Sequence, residues 1–156
     1  MSIDEATADL WNSLSGADLI QAMGEGRFPE LSDVSEHIGQ SVTSARPGRV
    51  EMTWTPGEHL CNPAGGVHGG YIAMILDNAV CFASASTGDH FVPQLTLNLN
   101  IDYLRGVQAG QTYTVVSTCV HPGRTRLYST AAITDAQGRV IAQASGSTIP
   151  NQAFAR

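Results

Sequence analysis

Residues 62–84 read NPAGGVHGGYIAMILDNAVCFAS, and this stretch decides the fold. A glycine cluster and one histidine lead into an apolar run with the length and make-up of a helix. From Tyr71 to Ser86 the only charged side chain is Asp77. A helix that is apolar nearly all round must be enclosed by the rest of the chain. A carboxylate inside such a helix is costly unless it is paired or put to use. The elements on either side say what encloses the helix, and Asp77 says where chemistry is to be sought.

Upstream, RVEMTWT alternates, with Val50, Met52 and Trp54 on one face, and reads as a strand. IGQSVTSARPG before it is read as its hairpin partner, turning at Pro47 and Gly48. Downstream come four strand candidates: 93–104, 111–121, 124–135 and 138–149, the last two joined by the hairpin turn DAQG. The first of these alternates strictly, with Leu95, Leu97, Leu99, Ile101 and Tyr103 set against Thr96, Asn98, Asn100 and Asp102. Two strands, a long apolar helix of about 68–86 and four more strands with short turns predict an α+β chain. Its antiparallel sheet curls around the helix. Residues 4–24 look helical, with Ser2 and Ser15 as candidate N-caps and Gly24, Gly26 and Pro29 as stops. ELSDVSEHIG is ambiguous between a short helix and a lead-in. The expected organisation is a helical extension over 1–37, one domain over 38–149 and a tail over 150–156.

Composition narrows the function classes. The chain has 156 residues, 42% of them hydrophobic and 14% charged, a balance that supports one globular domain. A net charge of −6, with arginine supplying every basic side chain, argues against nucleic acid or an anionic membrane as the main partner. The first residues carry acids and no long apolar run, so neither a signal peptide nor a membrane span is expected. Cys61, Cys81 and Cys119 are odd in number and lack CxxC spacing, which suggests free thiols in a cytoplasmic protein. The histidines lack metal-site spacing, and no metal is expected.

On a helix of about 100° and 1.5 Å per residue, His68 and Asp77 point about 180° apart and lie roughly 13 Å apart along the axis. One straight helix cannot bring both to one atom, whereas a two-fold dimer can. The amides of Gly65, Gly66, Gly69 and Gly70 lie where the loop becomes the helix, near the positive end of its dipole. Such a terminus can hold a developing oxyanion, and missing side chains let a carbonyl approach. A carboxylate brought to the same carbonyl could activate water or attack directly. Each piece also has a plainer reading. The glycines can form an ordinary turn, His68 can cap the helix, and Asp77 can accept a hydrogen bond from a neighbouring strand.

The combination resembles the hotdog-fold thioesterases, specifically the phenylacetic-acid-pathway (PaaI-like) type of the 4-hydroxybenzoyl-CoA thioesterase superfamily. The likeness rests on NPAGGVHGG followed by LDNA, and it continues through LTLNLNIDYLRG and GRTRLYSTAAITDAQGRVIAQASG. It implies a hotdog fold, a long central helix wrapped by a curved antiparallel sheet, here with extra N-terminal helices. It implies metal-free hydrolysis of acyl-CoA, with coenzyme A as part of the substrate rather than a cofactor. A homodimer at minimum is implied, as is a tetramer built as a dimer of dimers. Residue by residue, Asp77 matches the nucleophile or general base, and Gly69, with Gly70 beside it, matches the amide that polarises the thioester carbonyl. Asn62 and His68 match polar residues that orient water and thioester, and Thr96 matches a hydroxyl that assists the water. Arg124 and Arg126, two apart and read as sharing a strand face after a turn, correspond to a basic turn that contacts the nucleotide end of CoA. A solvated hairpin end is the plainer reading of those arginines. The rivals are a non-catalytic acyl-CoA-binding protein of the same fold and a hydratase or dehydratase. For the latter no HFP-like or paired Asp–His stretch is found.

Overall fold

The computed structural model describes residues 5–28 and 34–154. Three helices come first: α1 (Glu5–Ser13), α2 (Gly16–Gly24) and α3 (Val34–Ile38). Then follow β1 (Gln40–Arg46), β2 (Arg49–Trp54), a single turn of 3-10 helix at Glu58–Leu60, and the central helix α4 (Gly69–Ala85). The chain closes with β3 (Gln94–Tyr103), β4 (Tyr113–Pro122), β5 (Leu127–Thr134) and β6 (Val140–Pro150). Every strand expected from the sequence is present. The 4–24 region holds two helices, and the second starts at the expected cap, Ser15, which accepts the Asp18 N–H at 3.1 Å. The expected cap at Ser2 and stop at Pro29 lie outside the described residues. β6 takes in Pro150, so the strand runs one residue into the segment expected to be the tail.

The six strands form one sheet in the order β1-β2-β4-β5-β6-β3, antiparallel throughout. Its concave face carries Val50, Met52, Trp54, Val115, Ala131, Ile133, Ala142 and Ala144, all buried against Ile72, Ile75, Leu76, Ala79 and Val80 of α4. Burying one of the larger of these side chains contributes roughly 1.5–3 kcal/mol, so this face accounts for much of the folding drive. The polar atoms within it are paired. Trp54 donates its indole N–H to the Ile38 carbonyl at 2.8 Å, and Ser84 of α4 bonds Ser129 of β5 at 2.8 Å.

The two edges of the sheet are treated differently. At β1, Gln21 of α2 accepts the outward Ala45 N–H at 2.8 Å, and α2 lies along the strand. Gly16 lets α2 approach the C-terminal end of α4. A Cβ there would sit 1.9 Å from the Ala85 carbonyl oxygen, while the Gly16 N–H bonds the Gly88 carbonyl at 2.9 Å. The β3 edge has no such cover among the described residues. It presents Leu95, Leu97 and Tyr103 at 48%, 52% and 52% exposure.

β3 departs from the strict alternation read in its sequence. Its register against β6 shifts between Thr96 and Asn98, so Leu97 is an extra, bulged residue. Beyond the bulge Leu99 and Ile101 pair with Gly146 and Ala144, which face the helix. Before it, Thr96 pairs with Thr148, which is fully buried on the same inner face. The bulge therefore turns Thr96 inward and Leu95 outward, the reverse of what unbroken alternation gives.

Candidate active site

Asp77 lies in the third turn of α4, half-buried, on the side of the helix that faces β3. Thr96, turned inward by the bulge, donates its hydroxyl to Asp77 Oδ1 at 2.7 Å. The plainer reading of Asp77, a hydrogen bond from a neighbouring strand, is thus realised for one carboxylate oxygen. Oδ2 makes no hydrogen bond among the described residues, so the carboxylate is anchored at one oxygen and free at the other. Cys81, one helical turn further on, places its sulfur 3.3 Å from the same threonine oxygen. Burial pushes the Cys81 thiol up to about 11; the bond to Thr96 opposes the rise and the charge on Asp77 adds to it.

The other end of the helix holds the glycine cluster. His68 is the N-cap of α4, and its Nδ1 accepts the Gly70 N–H at 2.9 Å. This corrects the expectation that the Gly70 amide is open to a ligand. The Gly69 amide, by contrast, makes no hydrogen bond among the described residues, and it stands at the positive end of the dipole. Gly69 is held by Tyr103 of β3, whose hydroxyl donates to the Gly69 carbonyl at 3.1 Å. Asn62 anchors the preceding loop. Its Oδ1 accepts the Ala64 N–H at 2.9 Å, its N–H bonds the Gly66 carbonyl, and its carbonyl accepts the Gly65 N–H. Gly65 sits at φ 88°, which a residue with a Cβ adopts only under strain. With Oδ1 committed, Asn62 has its side-chain N–H donors left for a ligand. His68, Gly70, Tyr71 and Met74 line an open depression of about 340 Å³.

Within one chain these two halves stay apart. Asp77, Thr96 and Cys81 meet in the middle of α4, whereas His68 and Gly69 stand at its start and Asn62 in the loop that leads to them. Nine positions along a straight helix keep His68 and Asp77 roughly 13 Å apart.

Arg124 and Arg126 do not share a strand face. Pairing of Pro122 with Leu127 extends β4 and leaves both arginines in the turn before β5. Arg126 turns back and donates to Ser147 of β6 at 2.9 Å. Arg124 lines a separate cavity of about 230 Å³ near the C-terminal end of α4, with Thr87, His90 and Gln94.

A family model described as "Thioesterase superfamily" matches residues 64–142, from the glycine loop to the start of β6. The chain belongs to the thioesterase superfamily. Human acyl-coenzyme A thioesterase 13 is 28% identical to this thioesterase over 104 residues, 66% of this chain and 74% of the relative. PaaI of E. coli, from the phenylacetic acid degradation operon, superposes with a TM-score of 0.76. That likeness covers 88% of this chain and 96% of that one, and its 22% identity makes it a statement about the fold alone. A hypothetical thioesterase protein of Streptococcus pneumoniae TIGR4, solved with coenzyme A, is 27% identical with a TM-score of 0.67, over 72% of this chain and 88% of that one. These likenesses agree with the hotdog architecture of helix and curved sheet.

Two residues at the site escaped the sequence reading. Tyr103 falls within an apolar alternation, and nothing local in the sequence marks its hydroxyl. Cys81 shows in the sequence as a free thiol, and the available signal is its place four residues after Asp77, which puts both on one helix face.

Proposed function

We propose that this thioesterase hydrolyses acyl-CoA, with Asp77 as general base or nucleophile and the Gly69 amide as the donor to the thioester oxygen. The observation that carries the reading is the Asp77–Thr96 pair. A charged side chain in an apolar helix is fixed at Oδ1 by a hydroxyl that the bulge in β3 turns inward. Oδ2 is left to take a proton from water or to attack the carbonyl itself. As the tetrahedral oxygen gains charge, the Gly69 N–H at the helix terminus stabilises it, and the CoA thiolate leaves. The coenzyme A bound to the streptococcal relative supports the substrate class.

The reading requires a homodimer, with Asp77 of one protomer serving the carbonyl held by Asn62, His68 and Gly69 of the other. Its support is the contrast between edges: α2 closes β1, while β3 offers unpaired backbone and exposed leucines next to the Asp77 face. Pairing of two β3 edges buries those leucines and brings the two helices side by side. We further propose that Arg124 takes a phosphate of the nucleotide, with Arg126 supporting the turn through Ser147. Arginine is the only strong cation the chain offers. The direct test follows CoA release with a thiol-trapping reagent across aryl-acetyl, short branched and medium-chain acyl-CoA. Turnover of at least one class supports the proposal, and stoichiometric binding of all with no CoA released points to a binding protein instead.

A further inference from the structure

The sulfur of Cys81 is the third atom in a short chain that ends on Asp77. Thr96 Oγ1 donates to Asp77 Oδ1 at 2.7 Å, and Cys81 Sγ lies 3.3 Å from that same Oγ1. A threonine hydroxyl has one proton and two lone pairs. Its proton is committed to the carboxylate, so between sulfur and oxygen the donor has to be the thiol. A thiolate at this place would face an oxygen lone pair with no proton between them, beside a carboxylate.

We propose that Cys81 is a positioning residue for hydrolysis: its S–H donates to Thr96 Oγ1 and holds the hydroxyl proton on Asp77 Oδ1, so that Oδ2 is the oxygen presented to the substrate. The proposal rests on the reading of Asp77 given above. It accounts for a polarisable hydrogen-bonding side chain on an otherwise apolar helix face, one turn beyond the acid. It also assigns the cysteine a role opposite to nucleophilic attack, which needs a thiolate. Burial keeps this thiol protonated at neutral pH, the state the chain requires. With the thiol on one lone pair of Thr96 and the proton on Asp77, the second lone pair is left to accept from the attacking water.

The test is a double-mutant cycle on kcat and KM for an acyl-CoA that the wild type turns over. It uses Cys81→Ala, Thr96→Val, the double variant, Cys81→Ser and Asp77→Asn, each checked for folding by its melting curve. Loss of one neutral hydrogen bond corresponds to about a threefold to tenfold fall in kcat for Cys81→Ala, with KM changed less than about twofold. Cys81→Ser, which keeps a donor, should recover most of that loss. In the Thr96→Val background Cys81→Ala should cost nothing further, because the group it acts through is gone. Equal losses in both backgrounds, or a serine variant as slow as the alanine one, would overturn the positioning role even with Asp77→Asn inactive. Retained turnover in Asp77→Asn would overturn the reading of the site itself, and this proposal with it. Should Cys81→Ala not fold, Cys81→Val takes its place in the cycle, with the same two outcomes.

Discussion

Replacing Thr96 by valine isolates what the bulge in β3 achieves. Valine keeps the branched shape of threonine and suits a strand, so the change deletes one hydroxyl and little else. A hydrogen bond to a carboxylate contributes roughly 1.5–3 kcal/mol where water is excluded. Here Thr96 is exposed in the single chain and Asp77 half-buried, so water can replace the lost donor. The folded state should lose no more than about 1 kcal/mol, a shift of roughly 2–4 °C in Tm for a chain of this length. The loss in catalysis should be larger than this small stability effect implies. Without its anchor the carboxylate turns about its terminal torsion, which is broad and roughly two-fold. Oδ2 then no longer has one preferred direction. About a tenfold fall in kcat is expected, or ~1.4 kcal/mol of transition-state stabilisation, with KM within about twofold. Steady-state hydrolysis assays alongside a melting curve measure both quantities. Unchanged kcat in a folded Thr96→Val protein would refute the positioning of Asp77 by Thr96. A Tm fall well beyond that range would show the hydroxyl to be structural.

Gly69→Ala places a Cβ in ordinary contact with the Tyr103 ring, the nearest atom at 3.5 Å, so folding should survive. Turnover should fall by about tenfold or more, because the methyl group crowds a carbonyl approaching the amide; full activity would remove Gly69 from the oxyanion role. Mixing inactive Asn62→Ala and Asp77→Asn chains under confirmed subunit exchange should restore about a quarter of the wild-type rate, since half the dimers are mixed and each has one intact site. A dead mixture would place the whole site in one chain. Arg124→Ala should raise KM for acyl-CoA and spare kcat, while leaving hydrolysis of an acyl-N-acetylcysteamine unchanged. An equal loss on both substrates would assign Arg124 to the fold or the acyl pocket.

The strands, the central helix and the glycine-to-aspartate spacing were legible because each rests on local periodicity. Val50, Met52 and Trp54 alternate and are buried as they alternate. The run from Gly69 to Ala85 is apolar or small but for Asp77 and Asn78, and Ile72, Ile75, Leu76, Ala79 and Val80 are buried, while Gly70 and Met74 stay exposed. What the sequence did not disclose depends on partners distant in the chain. Nothing local marks Leu97 as a bulge: it is a leucine among alternating leucines, with no glycine or proline nearby, and the shift is set by pairing with β6. Unbroken alternation puts Thr96 on the outer face with Asn98 and Asn100; only the family resemblance pointed to it. The place of the two arginines is hidden in the sequence for a similar reason, since pairing of Pro122 with Leu127 decides where the strand starts. His68 realises its plainer reading, as helix cap through Nδ1, and it also lines the open depression.

The central claim is that the carboxylate of Asp77 drives hydrolysis, and Asp77→Asn tests it most directly. The amide keeps the volume of the side chain and can still accept from Thr96 through its oxygen, so the melting curve should stay close to that of the wild type. The variant has lost the group that takes the proton or attacks the carbonyl, and kcat should fall at least ~10²-fold. A folded Asp77→Asn protein that releases CoA at a rate near wild type would contradict the account.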